Sequence, residues 1–398
     1  MNEIEGMQYR KGCGEDQLSA LGYGCMRFTG KGAGIDLEKA EAELIEAIRG
    51  GVNYFDTAYI YTGSETALGK IFTRNKCRNQ IYIATKLPQF MIRSAGAIDK
   101  YFNEQKKRLQ TDYIDYYLLH FLNDVETWNR LVKLGIKEWI ADKKRKGEIR
   151  HIGFSFHGNT EMFLQLLEVY DWDFCQIQYN YMDEYSQAGK AGLLAAHKKA
   201  MPVIVMEPLR GGNLVNLLPQ GAQKVMASYE KRWSPASWAF RWLWNQPEVT
   251  CVLSGMNSME MLHENMAVAK DAAPGQWTPE DFELLETVKK EIGRGIKVGC
   301  TGCGYCQPCP QGVDIAGSFH CYNVKYLEGK KLAVKEYIKI TSARKRPGSA
   351  SLCNECGKCE PRCPQNIQIR KELKNVKREL ETPKYKLSKL AFKLMNRW

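Results

Sequence analysis

Four side chains of different chemistry stand where short apolar runs stop. Val52–Phe55 ends at Asp56, Ile81–Ala84 at Thr85 and Lys86, and Ile114–Leu119 at His120, while Tyr61 follows Asp56 by five positions. An acid, a phenol, an ammonium and an imidazole brought into one pocket make a proton-transfer site. A phenol with a pKa of about 10 is too weak an acid unless a cation lies close, and an imidazole orients an oxygen by hydrogen bonding. A second chemistry lies further on. Cys300, Cys303, Cys306 and Cys309 precede Pro310, and Cys353, Cys356, Cys359 and Cys363 precede Pro364. The second run has the bacterial ferredoxin spacing, in which three thiolates bind one cubane and the fourth binds the other. The first differs by one residue in its last gap. Paired C-x2-C units also make zinc sites, but four consecutive cysteines ending in Cys-Pro, twice, favour iron–sulfur. The reading gives one [4Fe-4S] cluster to Cys300, Cys303, Cys306 and Cys363, and the other to Cys309, Cys353, Cys356 and Cys359.

The apolar runs must be the elements that aim the four polar groups. Each is too short and too rich in β-branched or aromatic residues for a surface helix, so each reads as a buried strand. Helix-length segments, Ser64–Phe72 and Ser94–Leu109, separate them, and parallel strands need such crossovers. Upstream, Met7–Leu21 has turn chemistry around Lys11–Asp16 and reads as a hairpin closing a barrel bottom. Leu21–Cys25 is strand one, and Leu37–Arg49 is helix one with Asp36 as its cap. Downstream, strands are expected at His151–Phe154, Phe174–Ile177, Pro202–Met206 and Thr250–Leu253. Helices are expected at Leu131–Arg145, Thr160–Val169, Gly189–Ala200, within Glu230–Trp244, and at Ser258–Ala269. Eight strand–helix pairs make an α/β chain with a (β/α)8 TIM barrel, whose strand ends converge on one mouth. After Pro274 the pattern changes to one more helix, Pro279–Ile292, and a short basic link. The expected domains are a barrel over 1–292, a ferredoxin-like α+β iron–sulfur domain over 293–382, and a tail helix over 383–398. The long insert between the cysteine runs is read as helical at Val334–Ile340 with a basic turn at Ala343–Pro347.

With these residues in place the sequence resembles the aldo-keto reductase superfamily, in the bacterial subgroup with a C-terminal ferredoxin-type domain. The resemblance is carried by Asp56-Thr57-Ala58 with Tyr61 and Glu65, by Lys86 after a strand, and by Leu118-Leu119-His120. Ile152-Gly153-Phe154-Ser155, Gln176-Ile177-Gln178-Tyr179-Asn180 and Glu264-Asn265 continue it over roughly residues 7–270. It implies a catalytic tetrad of Asp56, Tyr61, Lys86 and His120 in NAD(P)H-linked interconversion of a carbonyl and an alcohol. Tyr61 would donate the proton, Lys86 would supply the charge that acidifies it, Asp56 would hold Lys86, and His120 would orient the carbonyl oxygen. It also implies that Ser155 and Gln176 bind the nicotinamide carboxamide, that the stretch beginning at Gly255 wraps the phosphates, and that Glu264 and Asn265 reach the adenine. Gly24, Cys25 and Met26, at the end of strand one, are taken to line the same cofactor site. There are two departures. Met206 stands where many members stack an aromatic ring, and Gly255 and Met261 stand where NADP-preferring members place Lys and Arg. NADH and NADPH therefore both stay open, and core filling stays open for Met206.

Composition bounds the rest. The formal net charge is +12, yet half of it lies in Lys371–Trp398. No basic-aromatic stripe crosses the body, so nucleic acid is not an expected partner. No apolar run approaches a membrane span, and Met1–Cys13 lacks the apolar stretch of a secretory signal, so a cytoplasmic protein is expected. The clustered cysteines then mean metal rather than disulfides. The other six (Cys13, Cys25, Cys77, Cys175, Cys251 and Cys321) read as small apolar packing residues. Leu387, Leu390, Ala391, Leu394, Met395 and Trp398 share one helical face of the basic tail. That tail could lie on an anionic membrane, bind an acidic partner or dock on its own chain. Hydride transfer moves two electrons and a cubane one. The clusters are thus structural, pass electrons to or from a redox partner protein, or are joined to the barrel by a flavin, for which there is no fingerprint. The opposing function class is an electron-transfer protein whose barrel is a partner- or flavin-binding scaffold without turnover. The carbonyl or alcohol substrate is a small molecule that the loops do not name.

Overall fold

The structure, a computed structural model, describes residues 6–32, 34–327, 329–341 and 348–387. The chain divides into two compact units, 1–208 with 236–277 and 209–235 with 278–398.

In the first unit a hairpin of β1 (Tyr9–Lys11) and β2 (Gln17–Ser19) precedes β3 (Leu21–Gly24). After the small ribbon β4 (Gly30–Lys31) and β5 (Gly34–Ile35) come α1 (Leu37–Arg49), β6 (Tyr54–Asp56), α2 (Ser64–Arg74), β7 (Tyr82–Leu87), α3 (Ala95–Leu109) and β8 (Ile114–Leu119). The second half runs α4 (Val125–Val132), α5 (Ile136–Arg145), β9 (Ile149–Phe156), α6 (Thr160–Glu168), β10 (Phe174–Gln178), α7 (Gly189–Lys198) and β11 (Val203–Met206). The chain then departs for α8 (Asn213–Asn216) and α9 (Gln220–Ala227), and returns with α10 (Pro235–Trp244), β12 (Cys251–Ser254) and α11 (Met259–Ala269). β3 and β6 to β12 pair in parallel and close on themselves through β12 and β3, the eight-stranded barrel expected.

The barrel interior is packed rather than hollow. Tyr54, Tyr116 and Phe174 meet edge to face, with ring centroids 5.2 and 4.9 Å apart, beside Leu18 and Cys13 from the hairpin region. That plug fills the barrel axis, and in such barrels the chemistry sits at the carboxyl ends of the strands. Helix four of the sequence reading is two helices, because Gly135 takes a left-handed φ of 82° and caps α5. Elsewhere capping follows the sequence: the Asp36 side chain accepts from the Lys39 N–H and that of Ser258 from the Met261 N–H.

The second unit contains α8 and α9, α12 (Pro279–Gly295), α13 (Ile315–Leu327), α14 (Lys330–Thr341) and α15 (Ile369–Leu380). The division therefore lies at 277/278, with 209–235 added, rather than at the 292 expected. α12 packs on α9, and the Tyr229 hydroxyl donates to Asp281, so both belong to this unit. The α+β character expected for the cysteine domain also changes. Among the described residues it has helices and short 3-10 turns and no strand, because the insert folds as α13 and α14 and its core is helix on helix. Phe319, Tyr337, Val376, Leu380 and Tyr385 are its buried centre. The Ala350 N–H donates to the Tyr337 hydroxyl at 2.7 Å, tying the loop before Cys353 to α14. The Val334–Ile340 helix lies within α14, whereas the Ala343–Pro347 turn and most of the 383–398 tail fall outside the described residues. No helix among the described residues is long and apolar enough to cross a membrane.

Candidate active site

β6 and β7 are neighbours in register, with Asp56 opposite Ala84, so Asp56 and Lys86 leave the sheet at the same end. Lys86 Nζ donates at 2.7 Å to both Asp56 oxygens and at 2.7 Å to the Thr57 carbonyl. Burial pushes the Asp56 carboxyl up and the Lys86 ammonium down, while their pairing opposes both shifts. Three acceptors around a 1% exposed lysine hold its charge in place. The ammonium stands 5.1 Å from the centre of the Tyr61 ring. Tyr61 comes from the loop between β6 and α2 and is half-buried, unlike its partners. His120 follows β8 and meets the Tyr61 ring edge-on at 6.1 Å. Burial, then the charge of Lys86, pushes its imidazole pKa well down, so the ring is neutral at ordinary pH. The four residues expected to meet do meet. A half-buried phenol beside a fixed cation and a neutral imidazole can deliver one proton to an oxygen in the mouth.

A buried polar layer that the sequence reading did not single out braces this pair from behind. Gln105 of α3 donates to the Lys86 carbonyl at 3.1 Å, to Thr85 Oγ1 at 2.9 Å and to Glu65 Oε1 at 2.7 Å. Arg108, one turn on, donates to Glu65 Oε2 and to the Tyr59 carbonyl, both at 3.1 Å. Strand β7 and the loop carrying Tyr61 are thereby fixed to one helix. Gly69 of α2 makes the close approach possible, since a Cβ there would lie 2.2 Å from the Arg108 carbonyl. In the sequence only Glu65 marks this layer. His157 is a further buried neighbour: burial lowers its pKa to about 4, and Gln187 Oε1 lies 3.2 Å from Nδ1.

The residues expected on the cofactor side are spread round the same end. Ser155 and Gln176 are opposite one another on β9 and β10, and Gln178 is opposite Met206 on β11. Ser155 Oγ accepts from the Phe121 N–H at 2.9 Å, a bond within the barrel wall. Gln176 Nε2 donates to the Met206 sulfur at 3.6 Å, and its Oε1 is buried without a partner. That orphaned acceptor suits an amide N–H of a bound group. Asn265 is buried and donates to Ser254 Oγ at 3.0 Å, whereas Glu264, Gly255 and Met26 are exposed. Gly24 pairs with Asp56 across β3 and β6. Cys25 is fully buried, its thiol pushed well up by burial and by Asp56, so it lines the wall protonated. Arg27, which the sequence reading passed over, runs alongside Gly255.

In the second unit the eight cysteines form two groups. Cys300, Cys303, Cys306 and Cys363 line one cavity with Phe319 and Ile367. Cys309, Cys353, Cys356 and Cys359 line another, with Cys306 at the boundary. This is the crossed pairing of the two sequence runs. Gly302 and Glu355 N–H groups each donate to a cysteine sulfur at 3.4 Å, the hydrogen bonding that thiolate ligands receive. Among the described residues no three metal-ligating side chains close to the spacing of a single ion. Thiols spread round a cavity suit a polynuclear cluster better than one zinc.

The comparisons with known proteins agree with this geometry. Residues 299–368 match the profile of a 4Fe-4S dicluster domain. The oxidoreductase YqkF of Bacillus subtilis is 24% identical over 314 residues, covering 72% of this chain and 97% of its own. An aldo-keto reductase of Mycolicibacterium vanbaalenii is 28% identical over 252 residues, 61% of this chain and 82% of that one. The holo structure of an aldo-keto reductase from Bacillus halodurans superposes with a TM-score of 0.58 at 25% identity, covering 71% of this chain and 96% of that one. Residues 20–286 match the aldo/keto reductase family profile, and with its closed barrel and its gathered strand-end residues the chain is an oxidoreductase that belongs to the aldo/keto reductase family.

Proposed function

We propose that the barrel catalyses NAD(P)H-linked interconversion of a small carbonyl compound and its alcohol, with Tyr61 as the proton donor. The contact of Lys86 with both Asp56 oxygens, 5.1 Å from the Tyr61 ring, carries this reading. A nicotinamide bound at the mouth would supply the hydride. Gln176, with its orphaned Oε1, and Ser155 would hold the carboxamide. Gly255 would follow the phosphates, and Glu264 and Asn265 would reach the adenine. Lys86 favours the phenolate that Tyr61 becomes after giving its proton to the developing alkoxide. Neutral His120 donates to the same oxygen and so orients it. In the reverse direction Tyr61 takes the proton back. Arg27 beside Gly255 is the cation that could replace the missing Lys and Arg, so NADH and NADPH are both retained. Two [4Fe-4S] clusters would sit in the two cysteine groups and serve electron transfer or structure. A soluble cytoplasmic setting fits thiols kept for iron.

Tyr61→Phe tests the reading. It should lower kcat for carbonyl reduction about 10²–10⁴-fold while leaving nicotinamide binding, followed by fluorescence, nearly unchanged. Full turnover would remove Tyr61 from its role and leave the barrel as a scaffold. Iron and sulfide analysis after anaerobic loading separates two clusters from one.

A further inference from the structure

The outer cysteine group is open to solvent and carries a basic rim. Cys356 is exposed together with Asn354 and Glu355, whereas every cysteine of the group holding Cys300 is only half-exposed, against Phe319, Ile367 and Ile369. α15 runs along the exposed loop. Arg370 and Leu373 line the cavity of Cys353, Cys356 and Cys359, and Lys374 pairs with Glu355 at 2.7 Å.

The helix buries Ile369, Leu373, Val376 and Leu380. Its opposite face exposes Arg370, Lys371, Lys374, Lys377 and Arg378, and the loop itself exposes Lys358 and Arg362. The acids in the stretch are largely committed. Glu360 pairs with Arg370 at 2.7 Å, Glu355 with Lys374, and Glu379 with Lys325. Those pairs also engage Arg370 and Lys374, and Arg378 meets Glu379, so the net positive charge of the face rests on Lys358, Arg362, Lys371 and Lys377. The helix face has no apolar side chain, because every apolar residue of α15 from Ile369 to Leu380 points inward.

The geometry points to this face, α15 with the Cys353–Arg362 loop, as the docking surface for a small acidic iron–sulfur protein that carries one electron. Charge complementarity selects the partner: a lysine- and arginine-lined rim attracts and orients an acidic surface. Location selects its chemistry, since the rim surrounds the group with the exposed Cys356. A membrane-binding helix needs an apolar face to bury in the headgroup region, which α15 lacks. A single-stranded nucleic acid site needs exposed aromatic rings among the cations, and α15 has none. The proposal rests on reading the cysteine groups as clusters. A cluster held by Cys309, Cys353, Cys356 and Cys359 would supply the acceptor there, taking up the one electron that the partner's cluster gives, and no bond or proton need be exchanged.

The test uses the cluster-loaded full chain and a purified acidic plant-type [2Fe–2S] ferredoxin as the probe, with association read by biolayer interferometry. Binding should weaken steeply with added salt. The variant Lys358→Glu/Lys371→Glu/Lys377→Glu should bind at least about tenfold more weakly at low salt and match the parent at high salt. Charge reversal elsewhere, Lys133→Glu/Lys198→Glu, should leave binding unchanged. The visible cluster spectrum and iron content report folding, and the corresponding triple Ala variant should lie between the two. A loaded triple variant that binds like the parent overturns the docking surface alone, as does binding indifferent to salt. So does parent protein that ignores ferredoxin but co-sediments with phosphatidylserine vesicles. A chain that loads no iron–sulfur overturns the cluster reading beneath it. None of these readouts depends on carbonyl turnover, so failure of the reductase assignment is recognised separately.

Discussion

The barrel mouth and the cysteine module reach their chemistry from opposite directions. At the mouth, Asp56, Lys86 and His120 lie 3%, 1% and 1% exposed, and Gln105 and Arg108 brace the surrounding strand and loop through the Lys86 and Tyr59 carbonyls. Sheet register and helix packing make that site before a substrate arrives, the preorganisation that electrostatic catalysis needs. In the module the cysteines sit on irregular loops and short 3-10 turns, half-exposed or exposed. Both runs pack against the one helical core, and a bound cluster would add the strong bonds that join them to each other. One site is built by the fold and filled by a ligand. The other has a helical scaffold but would be closed by its ligand.

Breaking each site should therefore look different. The largest effect is on chemistry at the mouth, where Tyr61→Phe costs rate but not stability. Asp56→Asn should cost both. It strands a buried ammonium, a loss of about 3–5 kcal/mol in unfolding free energy by urea titration, and it lets Lys86 discharge so that kcat falls as well. In the module, iron removal by a chelator should abolish the cooperative melting transition of the second unit, 209–235 included, seen by calorimetry, while the barrel transition and nicotinamide binding persist. Loss of both transitions together would erase the contrast.

The mouth should also respond to acid. His157 has a folded pKa of about 4 against an ordinary value of about 6.5, because burial disfavours its charged form. A depressed histidine contributes stability that is present above pH 6.5 and is lost as pH falls toward 4. The span is worth about 3 kcal/mol. His120 shifts in the same direction. Urea midpoints measured between pH 7 and 4 should fall, and His157→Gln should flatten part of that slope.

The legibility of the sequence divides along the same contrast. Barrel strands buried on both faces read as continuous apolar runs, and their polar ends stood out because each interrupted a run. The cysteine spacings were legible because ligand geometry is local. Three things were not. Gly135 inside Leu131–Arg145 looks like any helical glycine, and only its left-handed φ reveals the break. The segment 209–235 carries no mark of which core it joins. Its place shows only through contacts distant in sequence, such as the Asn213 amide donating to the Cys300 carbonyl at 2.8 Å and Gly211 lying against the Thr301 carbonyl. Gln105 and Arg108 belong to a polar helix and look like solvent-facing residues until α2 and β7 are packed against them.

Arg108 gives the smallest and sharpest test of preorganisation. Its guanidinium holds Glu65, which is 1% exposed, and the Tyr59 carbonyl, two residues before the phenol. Arg108→Ala removes both bonds, together with its half-exposed pair to Glu104, and leaves one Glu65 oxygen buried without its donor, a cost of about 1–3 kcal/mol in unfolding free energy. The Lys86–Asp56 contact is untouched, since Gln105 still holds the Lys86 carbonyl. The expected result is a kcat lowered by less than about tenfold with KM for the nicotinamide unchanged, because the loop bearing Tyr61 loosens while the charge behind it stays. Arg108→Lys, which keeps the charge but not the fork that reaches two acceptors, should recover little of the loss. Full recovery by lysine would mean that charge alone, and not the fixed loop, sets the position of the phenol.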